Sequence, residues 1–315
     1  MVNMGQATPL PAAQPSLEAQ PRRRWGEWLI ESLIRSAGIS AILIIGLIFL
    51  FLLREGLPAF VRVPPSQLLG VRWYPIDGLY GLLPLLAGSL IVTLGAILIA
   101  VPLGLVTAIY LGEIAPPWQR ELLKPLIEVL AGIPSIVLGF LGWVVLAPLV
   151  QQLGAPTGLT AFTGALILAY MSLPTIISIS EDALYAVPKE YRDAALALGA
   201  TQWQTVWRVV APAARSGVVI AVVLGIGRAI GETMAVMMVT GNAANIPGLG
   251  FGLFFQPVRT MTATIAAEMG EVAQGSLHYQ MLFAIGIVLF LITFVINSLA
   301  GALIGGQGKG RRSQL

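Results

Sequence analysis

The chain has no cysteine and a single histidine, His278, among its 315 residues. It can therefore form no disulfide, thiolate zinc site or thiol nucleophile, and one histidine cannot build a multi-histidine metal centre. A P-loop is missing too, because Gly308-Lys309 lacks the upstream glycine and is followed by Gly310. We expect no cofactor and no ATP hydrolysis in this chain. Its energy source is then a partner, an ion gradient or, for a passive pore, none.

Charged residues are also scarce, at 10% of the chain, whereas soluble domains carry about a quarter. Apolar residues make up 57%, the mean hydropathy is +0.84, and the apolar residues lie in blocks. A block of about 20 such residues crosses the hydrocarbon core as a helix, since lipid offers no partner for backbone polar groups. The sequence predicts an all-α integral membrane protein. Six spans are predicted at about 35–53, 85–111, 126–150, 159–180, 217–241 and 281–304.

These spans divide the chain into four parts. Residues 1–24 are rich in Pro, Ala and Gln and are predicted to be a disordered tail, and 25–84 hold the first span and an external loop. Residues 85–304 form the membrane core, and 305–315 form a basic tail.

The 18 Lys and Arg residues are distributed unequally between the two sides of the predicted bundle. Thirteen fall on the side of both termini and of residues 181–216, four fall on the other side, and Arg228 lies within a span. Because basic residues concentrate in cytoplasmic loops, we expect both termini and the 181–216 loop to be cytoplasmic.

The loop after the fourth span is too polar to cross a membrane and rich in helix formers. A helix is predicted from Lys189 to Leu198, a left-handed turn at Gly199, and a second helix from Thr201 to Val210 that Pro212 ends. Two short helices at a turn form a compact surface that fits a groove on a cytosolic partner. An amphipathic hairpin resting on lipid headgroups fits the pattern equally well.

The same loop resembles a known family. Asp193-Ala194-Ala195, Gly199 and Pro212 resemble the EAA coupling loop of the permease subunits of bacterial ABC importers, with Asp in place of the family's first Glu. The resemblance implies the six-helix type I importer fold, with a cytoplasmic coupling helix that docks on an ATPase. The implied coupling residues are Tyr191, Asp193, Ala194, Ala195, Gly199 and Pro212.

A narrower resemblance follows in the fifth span. Gly225 to Asn242, GIGRAIGETMAVMMVTGN, is similar to the signature of the PstC-type permease of phosphate ABC importers, which resembles this chain over roughly residues 70–300. It implies a multi-pass protein of the bacterial inner membrane. The implied partners are membrane lipid, a PstA-type sister permease, a PstB-type ATPase dimer that binds ATP-Mg, and an external PstS-type phosphate-binding protein, with no nucleic acid.

Two charges lie inside the fifth span. Arg228 and Glu232 are four residues apart, which predicts one helical face, and such residues face a bundle interior or a wet cavity. With the resemblance, Arg228 is expected to line the phosphate path because its planar fork matches phosphate oxygens. Glu232 would hold Arg228, and Thr233 would add a hydroxyl. The alternative is a structural ion pair that fixes helix packing.

Three other functions remain open at this stage. The first is a permease for another oxyanion, such as sulfate or molybdate, and the second is a channel or gradient-driven carrier. A membrane-embedded enzyme is the poorest, because no cluster of histidine, carboxylate or nucleophile lies at membrane depth.

Overall fold

The computed structural model describes residues 25–248 and 250–312, which are mostly helical. Within these ranges, six helices are long and apolar enough to cross a membrane: Gly26–Arg62, Leu83–Ile114, Ser135–Gln152, Ala161–Tyr185, Gln202–Gly231 and Leu277–Leu299. The predicted tail 1–24 and residues 313–315 lie outside the described residues. The chain divides into two units between Leu50 and Phe51.

The first helix, α1 (Trp25–Arg62), contains the predicted first span and runs well beyond it at both ends. Its 38 residues exceed the roughly 20 that a bilayer core requires. After it come a short helix, α2 (Pro65–Leu68), and an antiparallel hairpin of β1 (Trp73–Tyr74) and β2 (Leu79–Tyr80). The loop predicted between the first two spans therefore contains regular structure.

The centre of the second unit is formed by α3 (Leu83–Ile109), α7 (Ala161–Tyr185) and α10 (Ala211–Gly231), with α7 packed along both of the others. Small residues allow the close approach. A Cβ added to Gly104 of α3 or to Gly225 of α10 would lie 2.7 or 2.6 Å from a side-chain carbon of Ile176 on α7. Ile176 therefore fills the space that these two glycines leave, as is usual at membrane helix contacts.

The predicted third span, 126–150, is wrong in its first third. The helix α4 (Pro117–Ala131) ends before a turn at Gly132–Pro134, and α5 (Ser135–Leu141) starts a new helix. Proline has no N–H to continue a helix and disfavours helical geometry in the residue before it. One π-helical turn and α6 (Ala147–Gln152) complete the span Ser135–Gln152.

The polar loop after α7 folds as predicted in its first half. A helix, α8 (Lys189–Ala197), is followed by Gly199 at φ +82°, the left-handed turn that the sequence predicted. A second helix, α9 (Gln202–Thr205), is capped by Thr201 and continues through a π-helical turn into α10. The prediction that Pro212 ends the second helix is wrong. The wide π turn just before Pro212 accommodates a residue without an N–H, so the helix continues.

The predicted fifth span, 217–241, is also interrupted. α10 ends at Gly231, Glu232 is extended at ψ 134°, and α11 (Met234–Val239) begins after it. Further on are α12 (Met261–Glu268), capped by the Thr260 hydroxyl, and α13 (Leu277–Arg312). The backbone of 305–312, predicted as a tail, continues the last helix.

Candidate translocation and coupling sites

Arg228 lies on a face of α10 that the residues described by the structure leave open. On one side of the helix, Gly225 packs against α7, and its carbonyl accepts a hydrogen bond from Ser172. On the other side Leu224 is exposed, and a Cβ added to Gly227 or Gly231 would meet no described atom within 4 Å. The half-buried guanidinium of Arg228 makes no hydrogen bond or ion pair with any residue that the structure describes. A cation within a membrane span needs a partner. For Arg228 that partner must come from outside the residues that the structure describes.

The predicted pairing of Glu232 with Arg228 is wrong. Because α10 ends at Gly231, the two residues do not share a helical face, and no ion pair joins them within the described residues. The Glu232 carboxylate instead accepts the N–H of Ala235 at 3.2 Å, which satisfies a free donor at the start of α11. Thr262 Oγ1 donates to the Glu232 carbonyl at 2.8 Å, so the break in the helix is held from α12.

Thr233 lies beside this break. Its hydroxyl donates to the Gly231 carbonyl at 3.2 Å and so occupies one of the carbonyls that the end of α10 leaves free. This contact is local, and the predicted contact with substrate stays a prediction.

Polar side chains gather behind the helix break. Ser89 Oγ accepts the Met261 N–H at 2.9 Å, and the hydroxyls of Thr260 and Thr262 lie 3.2 Å apart. They line a cavity of about 10 Å³ together with Glu232. That volume holds about one water, so it is too small for an oxyanion in this conformation.

The predicted coupling residues lie together at the end of the bundle where α3 ends. Tyr191, Asp193 and Ala194 are exposed on α8, whereas Ala195 is buried. A groove of about 490 Å³ runs between α8 and the start of the α9–α10 helix, with Tyr191, Ala194, Ala195, Leu198, Gln204 and Arg208 among its lining. Pro212 is exposed farther along the helix, outside this groove. Three of the predicted residues, Tyr191, Ala194 and Ala195, therefore line this groove, and their coupling role stays a prediction.

Two buried carboxylates at this same end form ion pairs that sequence reasoning missed. Arg192 of α8 binds Glu113 in the turn after α3, with Nη2–Oε1 at 2.6 Å. Arg120 of α4 binds Glu181 of α7, and Lys124 Nζ lies 2.7 Å from the other carboxylate oxygen. The partners are 57 or more residues apart in sequence, so no helical spacing could reveal them. The hydrogen bond to Glu181 raises the pKa of Lys124, although burial opposes that shift.

A third charged cluster surrounds Glu268 near the start of α3. Its carboxylate accepts from Arg259 Nη1 at 2.8 Å, His278 Nε2 at 2.7 Å and Trp73 Nε1 at 3.1 Å. One carboxylate thus joins the β-hairpin, α12 and α13. Burial in this region raises the pKa of Tyr80. The sequence singled out His278 only as the one histidine of the chain and did not predict this contact.

The chain matches known transport proteins over most of its length. Residues 100–306 match the family described as "Binding-protein-dependent transport system inner membrane component". The chain is 42% identical to the probable ABC transporter permease protein YqgH of Bacillus subtilis, over 79% of this chain and 81% of that protein. It is 37% identical to the phosphate transport system permease protein PstC of Mesorhizobium japonicum, over 92% and 94%. PstC of Haemophilus influenzae is 33% identical, over 90% and 96%.

A solved structure of the MetNI methionine ABC transporter in an inward-facing conformation has a similar fold. The TM-score is 0.53 at 19% identity, covering 72% of this chain and 94% of that chain. The likeness shows the fold, which is that of the type I ABC importer permeases.

The six candidate spans and these relatives define a multi-pass membrane permease, a class without ATPase activity of its own. The chain belongs to the family of binding-protein-dependent transport system inner membrane components. The predicted fold and the family resemblance are confirmed. Family membership implies that the chain acts with an ATPase, a substrate-binding protein and a second permease.

Proposed function

We propose that this chain is the permease subunit of an ATP-driven importer of inorganic phosphate and forms half of the translocation pathway. The observation that carries the proposal is the guanidinium of Arg228 on the open face of α10, which no residue in the described part of the chain pairs with. It is supported by the chain's similarity to PstC proteins, whose names describe phosphate transport. No observation favours another oxyanion or a gradient-driven carrier.

The open face of α10 supplies the geometry of the pathway. With glycines at 227 and 231, a partner helix can approach closely, and Arg228 then lines a cavity shared by both permeases. Guanidinium keeps its charge at all relevant pH and offers a fork of donors to phosphate oxygens. Glu232 and Thr233, at the helix break beside it, complete the proposed path. The negative charge of the Glu232 carboxylate limits how tightly the anion is held. This matters because transport requires that the bound anion be released.

The proposed orientation puts both termini and α8 in the cytoplasm of a bacterial inner membrane. The thirteen-to-four distribution of basic residues supports it. Arg120, Lys124 and Arg192 belong to the larger group, and all three lie at the end of the bundle where α3 ends. Membrane lipid surrounds the spans.

The proposed partners follow from this orientation. A PstB-type ATPase dimer docks at the groove beside α8. Because that dimer binds ATP-Mg, this chain itself needs no cofactor. A PstA-type permease covers α10, and a PstS-type protein delivers phosphate from outside. We propose no nucleic acid partner. Tyr191, Asp193, Ala194, Ala195 and Gly199 form the docking surface, and Pro212 lies farther along the same helix.

The test replaces Arg228 in the assembled complex, reconstituted in vesicles with binding protein outside and ATP at the ATPase. Loss of hydrogen bonds to a charged group costs about 1.5–3 kcal/mol, so Arg228→Ala should lower phosphate uptake by about ten- to a hundredfold. Arg228→Lys keeps the charge without the fork and should give an intermediate rate. Arg54→Ala is the control, since the Arg54 side chain is 82% exposed.

Two results would reject this assignment. One is wild-type uptake by Arg228→Ala in an intact complex, which would make the residue a packing element. The other is faster uptake of sulfate or molybdate than of phosphate, which would identify a permease for a different oxyanion.

A further inference from the structure

A single guanidinium fastens the surface helix α8 to the body of the bundle. Arg192 lies in the first turns of α8 and reaches Glu113 in the π-helical turn Tyr110–Ile114, which directly continues α3. Nη2 lies 2.6 Å from Oε1, and Nε lies 3.1 Å from Oε2. This bidentate geometry fixes the orientation of both side chains, which a point contact between charges does not.

The same guanidinium also binds the end of α7. Nη1 donates to the Val187 carbonyl at 2.6 Å, and Nη2 donates to the Leu184 carbonyl at 2.9 Å. Gln202 Nε2, at the start of α9, donates to the Glu113 carbonyl at 3.1 Å. The ends of α3 and α7 and both surface helices therefore meet around Arg192 and Glu113.

Burial makes this contact stronger than a surface ion pair. The Glu113 side chain is 8% exposed and that of Arg192 is 20% exposed. The hydrogen bond with Glu113 raises the pKa of Arg192. Exposed ion pairs are loosened by water and salt, whereas a largely desolvated pair resists separation, and four of the five N–H donors of Arg192 are used here.

Apolar packing offers α8 little alternative anchorage. Of its nine residues, Ala195 is the buried one, and a methyl group has little surface with which to hold a helix. Besides its chain connections and its contacts with the following helix, α8 is held to the bundle by Arg192, and a force applied to its exposed face is resisted there. From Glu113 it passes into α3, and through the hydrogen bond of Tyr110 to Gln119 it passes into α4.

We propose that Glu113 and Arg192 are the positioning pair that carries a displacement of α8 into α3, so that ATPase movement reaches the transport pathway. The inference rests on the proposed function, because it takes the ATPase to dock at α8. It assigns a role to two residues outside the docking surface and outside the pathway.

The first test is Glu113→Gln in the complete complex. This change preserves side-chain size, the Glu113 carbonyl that Gln202 binds and the bonds of Arg192 to α7, and it removes the charge. The ATPase should remain bound, while phosphate carried per ATP hydrolysed should fall about fivefold or more. Arg192→Lys, which keeps the charge and loses the fork, should show the same loss. Glu121→Gln is the matched control, since Glu121 is exposed on α4 at the same end. An unchanged ratio in Glu113→Gln would overturn the proposal.

A second test measures the geometry around the contact of Glu113 with Arg192 directly and does not depend on phosphate. The chain has no cysteine, so spin labels can be placed at Ala197→Cys and Ile114→Cys, both exposed positions outside the groove and on either side of the pair. In the complex, the distance between the two labels should be the same without nucleotide and with trapped ATP. The distribution of that distance should broaden in Glu113→Gln. A change of about one helical turn, about 5 Å, in the wild-type complex would refute a rigid contact between Glu113 and Arg192. That result would count whether or not the Glu113→Gln complex assembles.

The two tests separate the possible failures. If the wild-type complex binds the ATPase and carries no phosphate, the proposed substrate is wrong and the spin-label distances still decide the role of the pair. If phosphate uptake is normal and the label distance changes, phosphate remains the substrate and the proposed role of Glu113 and Arg192 is rejected.

Discussion

The buried carboxylate of Glu181 gives the sharpest prediction about what holds the bundle together. Its side chain is 1% exposed and binds two cations from α4, Arg120 and Lys124. Arg120 is further fixed by the ring of Tyr185, whose centroid lies 4.7 Å from its Cζ. Glu181→Gln keeps the shape of the side chain and leaves two positive charges facing a neutral amide.

The magnitude follows from the exposure of the three groups. Breaking a fully buried pair costs about 3–5 kcal/mol, whereas an exposed pair contributes about 0.2–1 kcal/mol. Arg120 and Lys124 are 29% and 33% exposed, so water partly stabilises them once the carboxylate is gone. We expect a loss of about 2–3 kcal/mol. At about 2–4 °C per kcal/mol for a unit of this size, Tm falls by about 4–12 °C.

The neighbouring carboxylate provides the control. Asp182 pairs with Lys124 at 3.1 Å, but its side chain is 69% exposed. Asp182→Asn should therefore change stability by less than about 1 kcal/mol. Thermal unfolding of the two purified variants in detergent tests this difference. Equal shifts in Tm would refute the argument that burial, rather than charge pairing as such, makes Glu181 important.

Two further predictions concern packing and pH. Gly225→Ala should lower stability by about 1–3 kcal/mol in the same thermal assay, because the new Cβ would lie 2.6 Å from Ile176. Gly227→Ala should have little effect, because a Cβ there meets open space. Equal losses of stability in the two variants would contradict the described packing of Gly225 on α7. Because the hydrogen bond to Glu181 raises the pKa of Lys124 above its ordinary 10.5, the stability it adds is fully present below that pH and is lost as pH rises through the raised pKa. The wild-type Tm should therefore fall more steeply above about pH 10.5 than that of Lys124→Met, and parallel curves would argue against the pairing.

The sequence predicted the features that depend on local composition. Apolar blocks located the spans, and the left-handed conformation of Gly199 was predicted correctly because a side chain is disfavoured there. Family resemblance pointed to Tyr191, Asp193 and Ala194, which are exposed on α8, and to Ala195, which is buried. All of these signals lie within a few residues of the structure they specify.

The errors came from assuming that a helix continues wherever the sequence stays apolar. A hydropathy window averages across Gly132–Pro134 and so does not detect the break before α5. The four-residue spacing of Arg228 and Glu232 implies contact only within one helix, and α10 ends at Gly231. That break is stabilised by Thr262, a residue far away in sequence.

Long-range ion pairs could not be predicted at all. Glu113 and Arg192 are 79 residues apart and belong to different helices, so neither periodicity nor a short motif joins them. These side chains come together because α7 packs along α3 and α8 follows shortly after the end of α7.

ATP-driven uptake of radiolabelled phosphate tests the central claim most directly. Vesicles would contain this permease, its sister chain and the ATPase, with the binding protein added outside. The account predicts phosphate accumulation that requires ATP, the ATPase and the binding protein. Accumulation that persists after the ATPase is omitted would contradict it.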